Sequence, residues 1–252
     1  MLHYYRFGKG PSLVLLHGFM GGIGMWMPQL VGFKEQYEII AIDLPGFSKS
    51  SSIQAPNSLV GFANLVIDLL DSINVNKFSI LGFSMGGMIA QQMAKDYENR
   101  VKANILYSSS AIGKLPHRFE SWEDSILSLN QVGVDLTASN TIAKWFIDGE
   151  DSPFYKICRE ACSGANLNSC ITAMKAMQQW TSIEWLKQLK TPSLIIAGDR
   201  DKSTNISDAL ILFENLSNSE LCILPGCAHG ANLEKPDLFN HVVLNFLNSV
   251  AL

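Results

Sequence analysis

The chain has 252 residues, 47% of them hydrophobic, enough for one large α/β core or a core with an insertion. Nineteen Lys and Arg stand against 23 Asp and Glu, and a net charge of -4 with no basic cluster gives no sign of a polyanion-binding surface, so no nucleic acid partner is expected. The first residues carry no apolar run long enough for a signal peptide or membrane span, and the expectation is a cytoplasmic protein with no membrane contact.

Short apolar runs alternate with longer stretches of helical period, which predicts a mostly parallel sheet with crossover helices. The first run, Ser12 to Leu16, leads into His17-Gly18-Phe19-Met20-Gly21-Gly22, a glycine-rich loop able to turn backbone N–H groups toward a reacting centre. The second, Glu38 to Ile42, is followed by Asp43 to Ser50, where Gly, Lys and Ser lie close together without the GxxxxGK[ST] spacing of a phosphate loop. That segment reads as a turn at the top of the sheet.

The third run, Phe78 to Leu81, meets a helical stretch from Met88 to Ala94 through Gly82-Phe83-Ser84-Met85-Gly86. So sharp a strand-to-helix turn crowds the backbone, so the residues flanking the serine must lack bulk, as Gly82 and Gly86 do, and the serine hydroxyl is left exposed. The following helix start offers N–H groups and the positive end of a dipole to a developing anion. Ser84 is therefore the candidate nucleophile. The backbone N–H groups of Phe19 and Met85 are the candidate oxyanion-hole donors.

After the fourth run, Ala103 to Tyr107, the pattern changes. Between Ile112 and Leu189 no comparable strand is predicted, and the segment reads as a helical insertion. The sheet resumes at Ser193 to Ala197, restarted in extended form by Pro192. Its loop carries Asp199 and Asp201, and the loop after the last run, Leu221 to Leu224, carries His229.

A serine is a poor nucleophile at its free pKa, so an imidazole must take its proton and a carboxylate must hold the imidazole in the right tautomer. His229 is the base, because it lies in the loop after the last predicted strand and completes the order Ser, Asp, His. His3 precedes the core, His117 lies in the insertion, His241 falls within the helical pattern from Pro236 to Leu247, and His17 is structural. Either Asp199 or Asp201 satisfies the spacing for the acid. Five cysteines, an odd number without CxxC spacing, predict reduced core or surface thiols and no metal site.

Together the His17-Gly18-Phe19 loop with Trp26, the Asp43 to Ser50 segment, the Gly82-Phe83-Ser84-Met85-Gly86-Gly87 elbow, Gly198-x-x-Asp201 and Ala228-His229 resemble the α/β-hydrolase superfamily. The likeness is to its small carboxylesterases, enol-lactonases and cofactor-free haloperoxidases, over roughly Pro11 to Tyr107 and Thr191 to Leu247. The resemblance implies a doubly wound, mostly parallel sheet formed by 1–112 and 187–252, with residues 113–186 as a helical cap. It implies Asp201 as the acid, three residues after the loop glycine, with Asp199 a turn residue bound to local backbone. Thr204-Asn205 departs from the family pattern, in which a proline often follows the acid loop.

The implied cap offers Trp122, Trp145, Phe146, Met174, Met177 and Trp180 as pocket walls. The implied activity is cleavage of a small ester or lactone through an acyl-enzyme, without metal or organic cofactor, by a monomer or small homo-oligomer. Perhydrolysis and C–C bond hydrolysis are alternatives on the same triad, and a ligand receptor with little turnover is the alternative of another class. Serine at the elbow argues against haloalkane dehalogenation, which uses aspartate there.

Overall fold

The computed structural model describes residues 1–115, 117 and 120–250. Its elements in chain order are β1 (Tyr4–Gly8), β2 (Ser12–Leu16), α1 (Met27–Phe33), β3 (Glu38–Ile42), α2 (Leu59–Ser72), β4 (Phe78–Phe83), α3 (Met85–Asp96) and β5 (Val101–Tyr107). These are followed by α4 (Trp122–Ala143), α5 (Tyr155–Ala161), α6 (Leu167–Gln179), β6 (Ser193–Gly198), α7 (Ile206–Asn215), β7 (Ser219–Leu224), α8 (Ala231–Glu234) and α9 (Pro236–Val250).

The strands form one sheet in the order β1-β3-β2-β4-β5-β6-β7. β1 is antiparallel to β3, and every other pairing is parallel. Successive side chains of a strand point to opposite faces, and nearly all those of β2, β3, β4 and β6 are buried, so the sheet is covered on both sides. On one layer α2 packs on α3, which lies against β4 and β5; α1 packs on α9, which reaches β5. The fold is the α/β-hydrolase arrangement.

The parallel strands set the site. Because β2 through β7 all run the same way, the loops that follow them gather at one end of the sheet, where ligands of open α/β sheets bind. Those loops carry Phe19, Ser84, Asp201 and His229.

Edge strand β1 was not among the six predicted strands. Tyr5, Arg6 and Phe7 are exposed, so the segment lacks the apolar run or clean alternation that marks a strand. It is held by its neighbour: the Arg6 guanidinium donates to both carboxylate oxygens of Glu38 on β3 (2.9 and 3.1 Å).

Between β5 and β6 the regular elements among the described residues are helices, apart from a single bridge pairing Ile112 with Thr181. Residues 116, 118 and 119 of this 113–186 segment lie outside the described residues. Gly133 (φ 82°, ψ 170°) breaks α4 into two helical halves, a conformation open to glycine and strained for other residues. Cys158, Cys162 and Cys170 are buried free thiols here. Burial pushes the Cys158 and Cys170 thiols up to about 12, which keeps them protonated at neutral pH.

Candidate active site

Ser84 stands between the last residue of β4 and the first of α3 with φ 53° and ψ -114°. A non-glycine residue in this region costs about 1–3 kcal/mol, which the surroundings must hold in place. They do so by hydrogen bonds and by close packing. The Ser84 N–H donates to the Tyr107 carbonyl of β5 (2.9 Å), and the Ser84 carbonyl accepts from the Ser109 hydroxyl (2.9 Å). A Cβ on Gly82 would collide with the Gly86 carbonyl, and one on Gly86 with the Leu16 carbonyl, so neither position tolerates a side chain. The Ser84 hydroxyl caps nothing in α3 and has no hydrogen-bond partner among the described residues.

His229 lies in the loop after β7, nearly fully buried, with its ring over Phe83 (centroids 4.7 Å apart) and near Trp145 (6.4 Å). Its Nδ1 is 2.7 Å from Asp201 Oδ2. That contact fixes Nδ1 as the protonated nitrogen beside a carboxylate and leaves Nε2 as the nitrogen with a free lone pair. Asp201 accepts three further hydrogen bonds: from the Ser203 and Thr204 N–H groups at Oδ1 (2.8 and 3.1 Å) and from the Thr204 hydroxyl at Oδ2 (3.0 Å). Burial works to raise the Asp201 pKa, but His229 and the hydrogen bonds outweigh it and hold the carboxyl below its ordinary value.

Asp199, two residues earlier, faces elsewhere and accepts from the Cys227 N–H (3.1 Å), bracing the loop that leads to His229. The Thr204-Asn205 departure has a local explanation. Asn205 caps α7, accepting from the Ser207 N–H (2.9 Å) while Asp208 accepts from the Asn205 N–H (2.9 Å), and Thr204 is left to bind Asp201.

The His229 backbone is pinned as firmly as its ring. Its carbonyl accepts from the hydroxyls of Tyr107 (2.6 Å) and Ser108 (3.2 Å) at the end of β5. The next N–H, of Gly230, donates to the Trp145 carbonyl (2.7 Å). Glu234 takes the Ala228 N–H on one oxygen (2.6 Å) and the Ile147 N–H on the other (2.8 Å), joining the His229 loop to the helical segment.

Across the site, the His17 ring sits between loops: Nδ1 donates to the Gly18 carbonyl (2.7 Å) and Nε2 accepts from the Leu44 N–H (2.9 Å). Burial lowers its pKa, so it stays neutral and structural. Neither the Phe19 nor the Met85 N–H has a backbone or side-chain acceptor among the described residues. Both are therefore available to an anion, as an oxyanion hole requires.

Ser84 and His229 open into one cavity of about 350 Å³. Of the six residues expected as walls, Trp122, Trp145, Met174 and Met177 line it. Phe146 and Trp180 do not. Phe146 packs behind Gly230, and Trp180 turns away, donating from its indole to Gln92 (3.2 Å) and lining a separate surface groove with Lys114 and Gln178. Sequence reasoning missed the polar lining residues that α4 adds: Ser128, Thr137, Asn140 and Thr141, with Lys144 just beyond the helix. Thr137, Asn140, Thr141 and Lys144 recur at helical spacing, a signal that reads as an ordinary solvated face until the helix is placed. No group of His, Cys, Asp and Glu suited to a metal occurs among the described residues.

Residues 11–236 match the family model described as alpha/beta hydrolase fold. Along nearly its whole length the chain is similar to 3-oxoadipate enol-lactonase 2 of Acinetobacter baylyi (28% identical, covering 96% of this chain and 91% of the relative). It is also similar to 2-hydroxy-6-oxo-6-phenylhexa-2,4-dienoate hydrolase of Burkholderia cepacia (26% identical, covering 98% and 91%). Among solved structures, a hydrolase from Pseudomonas aeruginosa PA01 superposes with a TM-score of 0.90 at 26% identity, covering 98% of this chain and 94% of that one. With its sheet order, its elbow and this full-length similarity, the chain belongs to the alpha/beta hydrolase fold family and is a hydrolase.

Proposed function

We propose that this protein cleaves a carboxylic ester or lactone through a Ser84–His229–Asp201 triad. One observation carries the reading: the buried His229–Asp201 pair and the strained, otherwise unoccupied Ser84 hydroxyl border the same cavity. His229 Nε2 takes the Ser84 proton as Oγ bonds to the substrate carbonyl carbon, and the carbonyl oxygen becomes an anion received by the Phe19 and Met85 N–H groups. The C–O bond to the alcohol then breaks, and the His229 proton goes to the departing oxygen. Water, deprotonated by His229, releases the acid and restores Ser84. Asp201 stabilises the imidazolium in both halves. The absence of a direct Ser84–His229 hydrogen bond is compatible with this course, since such bonds tighten when substrate arrives.

In this reading residues 113–186 form the cap that encloses the substrate. The similarity to an enol-lactonase supports a lactone or other small ester, and the cavity volume supports a short acyl group. The similarity to a dienoate hydrolase favours one second reading, C–C bond cleavage of a ketone by the same serine. The protein is read as cytoplasmic; no helix among the described residues is long and apolar enough to cross a membrane.

Steady-state hydrolysis of short p-nitrophenyl esters and of simple lactones tests the reading, with Ser84→Ala as its control. The expected result is repeated turnover by the wild type and a fall in kcat of about 10⁴- to 10⁶-fold in the variant. Near wild-type turnover in Ser84→Ala would remove the nucleophile, and ligand binding without turnover in the wild type would replace the enzyme with a receptor.

A further inference from the structure

Thr204 occupies a position that the triad chemistry leaves unassigned. It is buried, it borders the cavity beside Ser203 and His229, and its hydroxyl lies between both members of the acid–base pair. Oγ1 is 3.0 Å from Asp201 Oδ2 and 3.4 Å from His229 Nδ1. Asp201 Oδ2 thus serves two donors, the Thr204 O–H and the His229 Nδ1–H, whereas Oδ1 is taken up by the Ser203 and Thr204 N–H groups.

Resting on the triad reading, we propose that Thr204 is a positioning residue that holds Asp201 Oδ2 against His229 and moderates how strongly the carboxylate attracts the imidazolium proton. The chemistry follows from shared acceptance. A carboxylate oxygen that already accepts one hydrogen bond carries less charge toward a second donor. With the Thr204 hydroxyl in place, Oδ2 has less charge to offer the Nδ1 proton of His229. The hydroxyl also fixes which Asp201 oxygen faces Nδ1, since free rotation about the Asp201 side chain would break the bond at 3.0 Å.

Thr204→Val removes the hydroxyl at nearly constant shape. The acidic limb of the kcat/KM profile reports ionisation of the base in the free enzyme. In Thr204→Val the charge of Oδ2 is concentrated on His229, so this limb is expected to move to higher pH by about half a unit to one unit. Thr204→Ser, which keeps the hydroxyl and loses only a methyl, is expected to return it to the wild-type position. The charged and titratable groups facing the pair are Asp208 from α7, Glu234 from α8, Tyr107 from β5, and Glu120 and Lys144 from the cavity; His117 pairs with Asp208 in turn. All are unchanged between the variants, so the difference between Val and Ser isolates the hydroxyl.

The same shift is expected in an NMR titration of the His229 ring made in Ser84→Ala protein, which needs no turnover. A Thr204→Val titration superimposing on that of its parent would overturn the proposal, as would Thr204→Ser shifting as far as Thr204→Val, because packing alone would then explain the site. Activity surviving Ser84→Ala would instead strike the triad reading, so the two failures are separable.

Discussion

Asp199 and Asp201 are two residues apart, follow the same strand and have the same side chain, yet their surroundings give them different work. Asp201 meets His229 at 2.7 Å and collects four hydrogen-bond donors, whereas Asp199 meets the Cys227 N–H at the foot of the His229 loop. Asp201→Asn is expected to lower kcat/KM by about 10⁴-fold, since an amide leaves the imidazole in the wrong tautomer. Asp199→Asn retains an acceptor for the Cys227 N–H and is expected to stay within about tenfold of wild type in kcat/KM, because it moves only a loop. A larger loss at position 199 would reverse the assignment. The depressed Asp201 pKa has a consequence for stability with a definite sign. A carboxyl whose folded pKa lies below its unfolded value contributes stability above the unfolded value, about 3.9 for aspartate, and loses it as pH falls through the folded one. Acid unfolding of Asp201→Asn is therefore expected to begin from a lower stability at neutral pH and to show a shallower fall below about pH 4.

At the scale of elements, the short helix α8 joins the two parts of the site. Its Glu234 accepts the Ala228 N–H from the His229 loop and the Ile147 N–H from the helical segment, so one side chain sets the distance between them. Glu234→Ala leaves both donors without this acceptor, a loss of about 1–3 kcal/mol for each that stays buried. A fall in Tm of several degrees is expected, together with a rise in KM as the wall bearing Trp145 loosens; a thermal melt and a saturation curve check both. This clamp could not be read from the sequence, because it depends on residues 87 positions apart. The strands were legible for the opposite reason. Ser12–Leu16 and Glu38–Ile42 are buried on both faces and appear as continuous apolar runs, whereas Tyr4–Gly8, exposed along its middle, becomes a strand only by pairing with β3.

Across the whole molecule, the corners of the candidate site were legible because β2 to β7 run the same way and bring their ends to one place: a residue just after one of these strands is delivered to the end of the sheet that holds Ser84. The walls were not, because they depend on how helices of the 113–186 segment rotate over that end. Trp122, Trp145, Met174 and Met177 face the cavity, while Phe146 and Trp180, equally apolar and in the same segment, turn to other partners. The resulting cavity is lined both by apolar groups, among them Met88, Met174 and Met177, and by the hydroxyls and amide of Ser128, Thr137, Asn140 and Thr141. A long alkyl chain would have to leave it or strip water from those polar groups without replacing the hydrogen bonds. The expected order for p-nitrophenyl esters is therefore acetate and butyrate well above dodecanoate, by at least about tenfold in kcat/KM, a discrimination that even a single methylene can reach in a closed pocket. Met174→Ala should narrow that ratio by adding room to the cavity, at a stability loss of about 2–5 kcal/mol. Equal rates on butyrate and dodecanoate in the wild type would mean that the acyl chain does not lie in this cavity.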